Sequence, residues 1–125
     1  MEEERIGKSI VEAALKVHSA LGPGLLESAY QACLAHELVQ GGLEVEQEAG
    51  LPVHYRGNTL DVGYRIDLWI NKKVIVEIKA VEKLMPIHNA QLLSYLKLSK
   101  CKLGFLPNFN VAHMKDGIRR VVNGL

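Results

Sequence analysis

Apolar residues recur at three- and four-residue steps from the start of the chain. Ile6, Ile10, Ala14, Val17 and Leu21 make one face of a helix over roughly residues 4–20. Gly22-Pro23-Gly24 interrupts it, and a second helical pattern over about 24–40 carries Leu26, Ala29, Cys33, Leu34 and Leu38. Gly41-Gly42 ends that helix. From Leu43 the period changes to two. A short strand begins at Val45, and Leu51–Arg56 reads as another, with Pro52 marking a strand start or an edge. Gly57-Asn58 is a turn signal, which predicts a hairpin into a long strand from Thr59. In that strand Leu60, Val62, Tyr64, Ile66, Leu68 and Ile70 share one face, and Asp61, Gly63, Arg65, Asp67 and Trp69 the other. Lys73–Ala80 alternates in the same way: Val74, Val76, Ile78 and Ala80 against Ile75, Glu77 and Lys79. Pro86 suits the first turn of a third helix running to about Ser99, with Leu92, Leu93 and Leu96 facing the core. A buried strand over Leu103–Leu106 ends at Pro107. A turn at Lys115-Asp116-Gly117 precedes a last strand over Ile118–Val122. The order predicts a mixed sheet flanked by helices, an α/β (α+β) domain.

Composition narrows the setting. The 125 residues, 48% of them hydrophobic, suit one domain with a single core and little length for separate substrate recognition. The net charge of +1 neither demands nor excludes a nucleic-acid partner, so any basic surface must be local. Cys33 and Cys101 form no CxxC or Cys/His cluster, which argues against zinc and against a disulfide framework. The acidic Met-Glu-Glu-Glu-Arg start is unlike a signal peptide, and no apolar run approaches the about 18 residues of a membrane span. A cytoplasmic protein without a membrane partner is the expectation.

Asp is disfavoured inside strands, so Asp67 between Ile66 and Leu68 asks for a reason. A solvated outer face would be one. The hydrophobic residues also select a register. Opposing Asp67 to Glu77 pairs Leu68 with Val76, Ile70 with Val74 and Ile66 with Ile78, so every apolar residue meets an apolar one. A one-residue slip inverts all of these pairs. This register predicts a three-residue connection at Asn71-Lys72-Lys73, or a compensating bulge, and sets Arg65 opposite Lys79. It also juxtaposes two carboxylates, which repel unless a cation lies between them. Lys79 could serve as a plain salt-bridge partner. A hard divalent ion such as Mg²⁺ would serve better, with the Ile78 carbonyl as a further ligand. Such an ion, two carboxylates and a lysine that orients water form a phosphodiester-cleaving set.

At these residues the sequence resembles the PD-(D/E)XK nuclease superfamily, whose core is helix, three-strand meander, helix, strand. More narrowly it is similar to the GxxExxY family within it. Gly24-Leu25-Leu26-Glu27-Ser28-Ala29-Tyr30 matches the naming motif. Tyr64-Arg65-Ile66-Asp67-Leu68 matches the metal-binding Asp strand, and Glu77-Ile78-Lys79-Ala80 the (D/E)XK strand. Pro86-Ile87-His88 leads into Gln91-Leu92-Leu93-Ser94-Tyr95-Leu96, which is similar to the helix motif of RecB-like nucleases. The resemblance covers about Ile6 to Val122. One departure is Met85 where a capping Ser or Thr is expected before Pro86.

The resemblance implies a restriction-endonuclease-like fold and Glu27 as a third acidic ligand, although helix-start chemistry also favours a carboxylate there. Tyr30, one turn on, could orient Glu27 or fill the core. Gln91 and Tyr95 become candidates for a phosphate or the ligand shell, and His88 for capping or a substrate contact. Arg65 becomes a phosphate binder or a salt-bridge partner of Asp67 or Glu77. His18, His36, His54 and His113 lack metal-ligand spacing. The leading expectation is a Mg²⁺- or Mn²⁺-dependent phosphodiesterase acting on DNA. Asp67, Glu77, Ile78 and Glu27 hold the metal and Lys79 positions the attacking water. The alternatives are a catalytically silent module binding nucleic acid or a protein, and a structural salt-bridge cluster. The absence of a recognition domain makes a homodimer an option.

Overall fold

A computed structural model describes residues 1–125. The elements run α1 (Glu2–Leu21), α2 (Glu27–Gln40), β1 (Val45–Gly50), β2 (Val53–Tyr55), β3 (Asn58–Leu60), β4 (Arg65–Ile70) and β5 (Val74–Val76). Then come α3 (Pro86–Ser99), β6 (Leu103–Pro107), a short 3₁₀ turn at Met114–Asp116 and β7 (Ile118–Val122). Five strands form one sheet in the order β1-β4-β5-β6-β7, while β2 and β3 pair only with each other. The β5/β6 pair is parallel and the other neighbours are antiparallel. A parallel pair needs a crossover, and α3 supplies it.

The sheet lies between two helical layers. On one face Ile6, Ile10 and Val17 of α1 and Tyr30, Leu34 and Leu38 of α2 pack on Leu68, Ile70, Val74, Val76, Leu103 and Phe105. On the other, Leu92, Tyr95 and Leu96 of α3 pack on Ile75, Leu106 and Val121. Strands covered on both sides read as nearly continuous apolar runs, which explains why Leu103–Pro107 is buried at every position.

The expected register holds as far as Leu68 and Val76. Leu68 faces Val76, Trp69 faces Ile75 and Ile70 faces Val74, with Asn71-Lys72-Lys73 as the three-residue connection. Asn71 and Lys72 take left-handed φ values of 51° and 57° there, and the Lys73 N–H donates to Ile70 O at 2.9 Å. Helix α3 spans the expected residues, and His88 Nδ1 reaches back to accept the Met85 N–H at 3.0 Å, while Met85 itself supplies no side-chain cap hydrogen bond.

Three expectations fail. The long strand from Thr59 to Ile70 is broken: Asp61 Oδ1 accepts the Gly63 N–H at 3.0 Å, and Gly63 adopts φ 82°. This side-chain turn diverts the backbone from the ladder. Leu60, Val62 and Tyr64 are therefore exposed and only Ile66, Leu68 and Ile70 are core. The hairpin turn is Arg56-Gly57 rather than Gly57-Asn58, since Tyr55 pairs with Asn58. The second helix starts at Glu27, leaving Leu26 outside it and 78% exposed, while Tyr30 takes a core position.

Candidate active site

The chemistry gathers where β4 and β5 part. Their ladder ends at Leu68–Val76, so the expected Ile66–Ile78 and Arg65–Lys79 pairs do not form. Beyond Val76 the chain stays with β6 instead: the Glu77 N–H donates to Phe105 O and the Lys79 N–H to Pro107 O, both at 3.0 Å. The donors left on either side of the fork are met by side chains. The Asp67 N–H donates to Glu77 Oε2 at 2.7 Å, and the Ile78 N–H to Asp67 Oδ2 at 2.8 Å. The two carboxylates thus exchange places with a lost ladder step, and each keeps its other oxygen outside this exchange. Buried backbone donors must find acceptors, and here the acceptors are charged.

This arrangement is electrostatically costly. Burial first, and then the Asp67 charge, push Glu77 up to about 8. Burial also raises Asp67, with Glu48 and Glu27 adding to the rise, while the Ile78 N–H and the Lys79 ammonium oppose it. Tyr95 is raised by burial and by the field of Glu77. Like charges in a desolvated site disfavour ionisation, and a cation favours it.

Lys79 follows Ile78 on the strand and makes no ion pair, the structure's ion pairs being Lys72–Glu46 and Arg120–Glu4. The salt-bridge expectations for Lys79 and Arg65 are thereby corrected. The Arg65 guanidinium instead donates to Tyr64 O at 2.9 Å and lines a cleft of about 350 Å³ with Gly50, Leu51, Pro52 and Asp61. Arg65 pairs with Gly50 of β1, and on its other edge, past the end of the β4/β5 ladder, it does not pair with Lys79.

The helices close the site. Glu27, in the first turn of α2, accepts the Ala80 N–H at 3.2 Å. It ties α2 to the residue after Lys79, and its charge reaches Asp67. Tyr30 does not orient it. The Tyr30 ring stacks on Phe109 with centroids 4.5 Å apart, and its hydroxyl donates to Gly22 O at 2.6 Å and accepts the Leu25 N–H at 3.1 Å. Tyr30 therefore pins the Gly-Pro-Gly loop. On α3, Gln91 Nε2 donates to the Tyr95 hydroxyl at 3.2 Å, and the Tyr95 ring lies 5.7 Å from that of Tyr64. His88 is occupied at the helix start.

Three residues, Glu48, Gln31 and Asn108, escaped sequence reasoning. Glu48 of β1 lies across from Asp67, between the pairs Gln47–Leu68 and Ala49–Ile66, with φ 52°. Gln31 Nε2 bridges Glu48 Oε2 at 2.9 Å and Asp67 O at 3.3 Å. Glu48 sits in a polar run of ordinary strand-edge character, and only strand order brings it to the site. Asn108, 2% exposed, accepts the Val81 N–H at 3.0 Å and donates to Val81 O at 2.9 Å. It clamps the segment that carries Lys79, with which it also bridges. An Asn after Pro107 reads as a turn residue, so no local signal marks it.

The donor set suits a hard cation. No group of three or more His, Cys, Asp and Glu side chains is assembled into a cage. Asp67, Glu77 and the Ile78 carbonyl, which receives no backbone N–H, could offer such a cation a few oxygen atoms. That matches an ion that retains most of its waters. No helix of the structure is long and apolar enough to cross a membrane. No curated protein and no solved structure matches the chain. A family model described as the PD-(D/E)XK nuclease superfamily matches residues 4–121. With that match across nearly the whole chain, and with a helix-flanked mixed sheet carrying Asp67 and Glu77-Ile78-Lys79 at its fork, the chain belongs to the PD-(D/E)XK nuclease superfamily.

Proposed function

We propose that this protein is a Mg²⁺- or Mn²⁺-dependent phosphodiesterase acting on DNA, and that its narrower place is the GxxExxY family. The observation that carries the reading is the reciprocal exchange between Asp67 and Glu77. It holds two carboxylates in a half-buried fork, with a lysine two residues past Glu77 that has no ion-pair partner. Asp67, Glu77 and the Ile78 carbonyl would hold the ion. Glu27 would act beside them, by its charge and by its bond to the Ala80 N–H. When bound, a divalent cation neutralises the carboxylates, acidifies water and shields phosphate.

The chain's own residues supply the rest. The Lys79 ammonium positions the attacking water and offsets charge growing on the phosphate. Asn108 fixes the backbone from which Lys79 projects. Arg65 faces a cleft able to take a neighbouring phosphate. Gln91 and Tyr95 bound the site on the α3 side. The test is incubation of single- and double-stranded DNA with Mg²⁺, Mn²⁺ or EDTA. Metal-dependent cleavage that Lys79→Ala reduces by several hundredfold is expected. Absence of cleavage on every substrate would remove the reading.

One observation favours a second reading, a silent accessory module. Both carboxylates already serve as backbone acceptors, so the fork has a structural use without metal. Calorimetry with Mn²⁺ separates the two, since the silent module binds none.

A further inference from the structure

The β2–β3 hairpin pairs with no other strand, and the chain leaving it runs through Tyr64 into β4, the strand that carries Asp67. Of the four tyrosines, Tyr30 and Tyr95 are buried, while Tyr55 and Tyr64 are 57% and 43% exposed. Each exposed tyrosine is followed directly by an arginine: Tyr55-Arg56 at the hairpin tip and Tyr64-Arg65 at its base. At the tip the Arg56 guanidinium lies 5.5 Å from the centroid of the Tyr55 ring. At the base, Tyr64 leans on Tyr95 of α3 and Arg65 lines the cleft beside β4.

The tip is also conformationally costly. Arg56 and Gly57 have φ values of 49° and 79°, as a two-residue hairpin turn with both central residues left-handed requires. Asn is favoured at the first of these positions and Arg is not. A strained residue that carries a cation and covers an exposed aromatic ring calls for a use outside the fold.

We infer that the β2–β3 hairpin, together with Tyr64 and Arg65 where the chain enters β4, is an arm for single-stranded nucleic acid, in which Tyr55 and Tyr64 stack on bases while Arg56 and Arg65 hold the adjoining phosphates. Aromatic faces interleaved with cations suit a strand whose bases are unpaired, because every base offers a stacking face. Charge complementarity supports the same occupant. Arg56 and Arg65 give a polyanion cationic partners beside the fork, where the carboxyl groups of Glu48, Asp67 and Glu77 gather. This inference deepens the nuclease reading by naming its substrate class and rests on it for what becomes of the bound strand.

Fluorescence anisotropy with labelled oligothymidine, and with its duplex, in EDTA tests the arm without cleavage. Tyr55→Ala weakens single-strand binding roughly tenfold. Arg56→Asn weakens it as well and lowers the slope of log affinity against log salt by about 0.7. The same Arg56→Asn raises the melting temperature, since Asn tolerates the left-handed turn. Opposite movements of stability and affinity are not expected of a residue that only shapes the hairpin. Unchanged oligothymidine affinity in both variants overturns the inference, as does tighter binding of the duplex. Self-association that Tyr55→Ala abolishes, with oligonucleotide binding unaltered, assigns the arm to a second copy and overturns it too. Cleavage lost in Lys79→Ala but untouched in the arm variants removes the arm and keeps the nuclease. Arm-dependent binding with no metal-dependent cleavage does the reverse.

Discussion

Asp67 and Glu77 show how one pair of side chains serves two ends. Each accepts a backbone N–H that the diverging strands leave behind, and each brings a charge that burial and its neighbour disfavour. Asn and Gln can accept the same N–H groups without the charge. The double variant Asp67→Asn, Glu77→Gln should therefore raise the melting temperature of the metal-free protein, by about 2–6 °C for each kcal/mol of repulsion relieved in a chain of this size. It should also abolish Mn²⁺ binding in calorimetry. A lower melting temperature would mean that the charges stabilise the fork. The pH dependence follows from the same residue. Glu77 moves from an ordinary 4.5 up to about 8 in the folded chain. Between those values the folded state holds a proton that the unfolded state has lost, so stability falls as pH rises. Its contribution is full below pH 4.5 and gone above about 8. Urea unfolding of the metal-free protein at pH 5 and pH 8 should show the loss, and Glu77→Gln should flatten it.

At the scale of elements, the site depends on segments that hold other segments. Asn108, at the end of β6, makes both backbone bonds to Val81 that a neighbouring strand would otherwise make. Asn108→Ala leaves buried groups of Val81 unpaired, at a cost of about 1–3 kcal/mol for each. It should lower the urea midpoint and reduce any cleavage more than it weakens metal binding, because Asp67 and Glu77 are anchored independently. Equal losses in both would place Asn108 outside the support of Lys79. Tyr30 does comparable work for the loop between α1 and α2. Tyr30→Phe keeps the stacking on Phe109 but strands the Gly22 carbonyl and Leu25 N–H. A loss of about 1–2 kcal/mol in urea unfolding is expected, against near-neutrality if water replaces the hydroxyl fully.

For the molecule as a whole, a cation that binds only the folded chain adds stability by mass action, about 2.7 kcal/mol when its concentration is a hundred times its dissociation constant. Because the ion must displace the proton on Glu77, the rise in melting temperature with Mn²⁺ should be larger at pH 8 than at pH 6. An equal rise at both would place the ion away from Glu77. Much of the architecture was legible along the chain. The spacing of Ile6, Ile10, Ala14 and Val17 fixed a helix face. The apolar residues of Leu68–Ile70 and Val74–Val76 admitted one register, which brings Asp67 and Glu77 to adjoining ends of the ladder. These are local or pairwise matters, in which a wrong choice would bury charge or expose Leu and Ile. Where the strands part, which side chains satisfy the freed N–H groups, that Glu48 comes beside Asp67, and that Asn108 grips Val81 were decided only by the tertiary structure. Each depends on strand order and on backbone donors losing their regular partners, and a linear pattern of apolar and polar residues carries no record of which distant group will answer them.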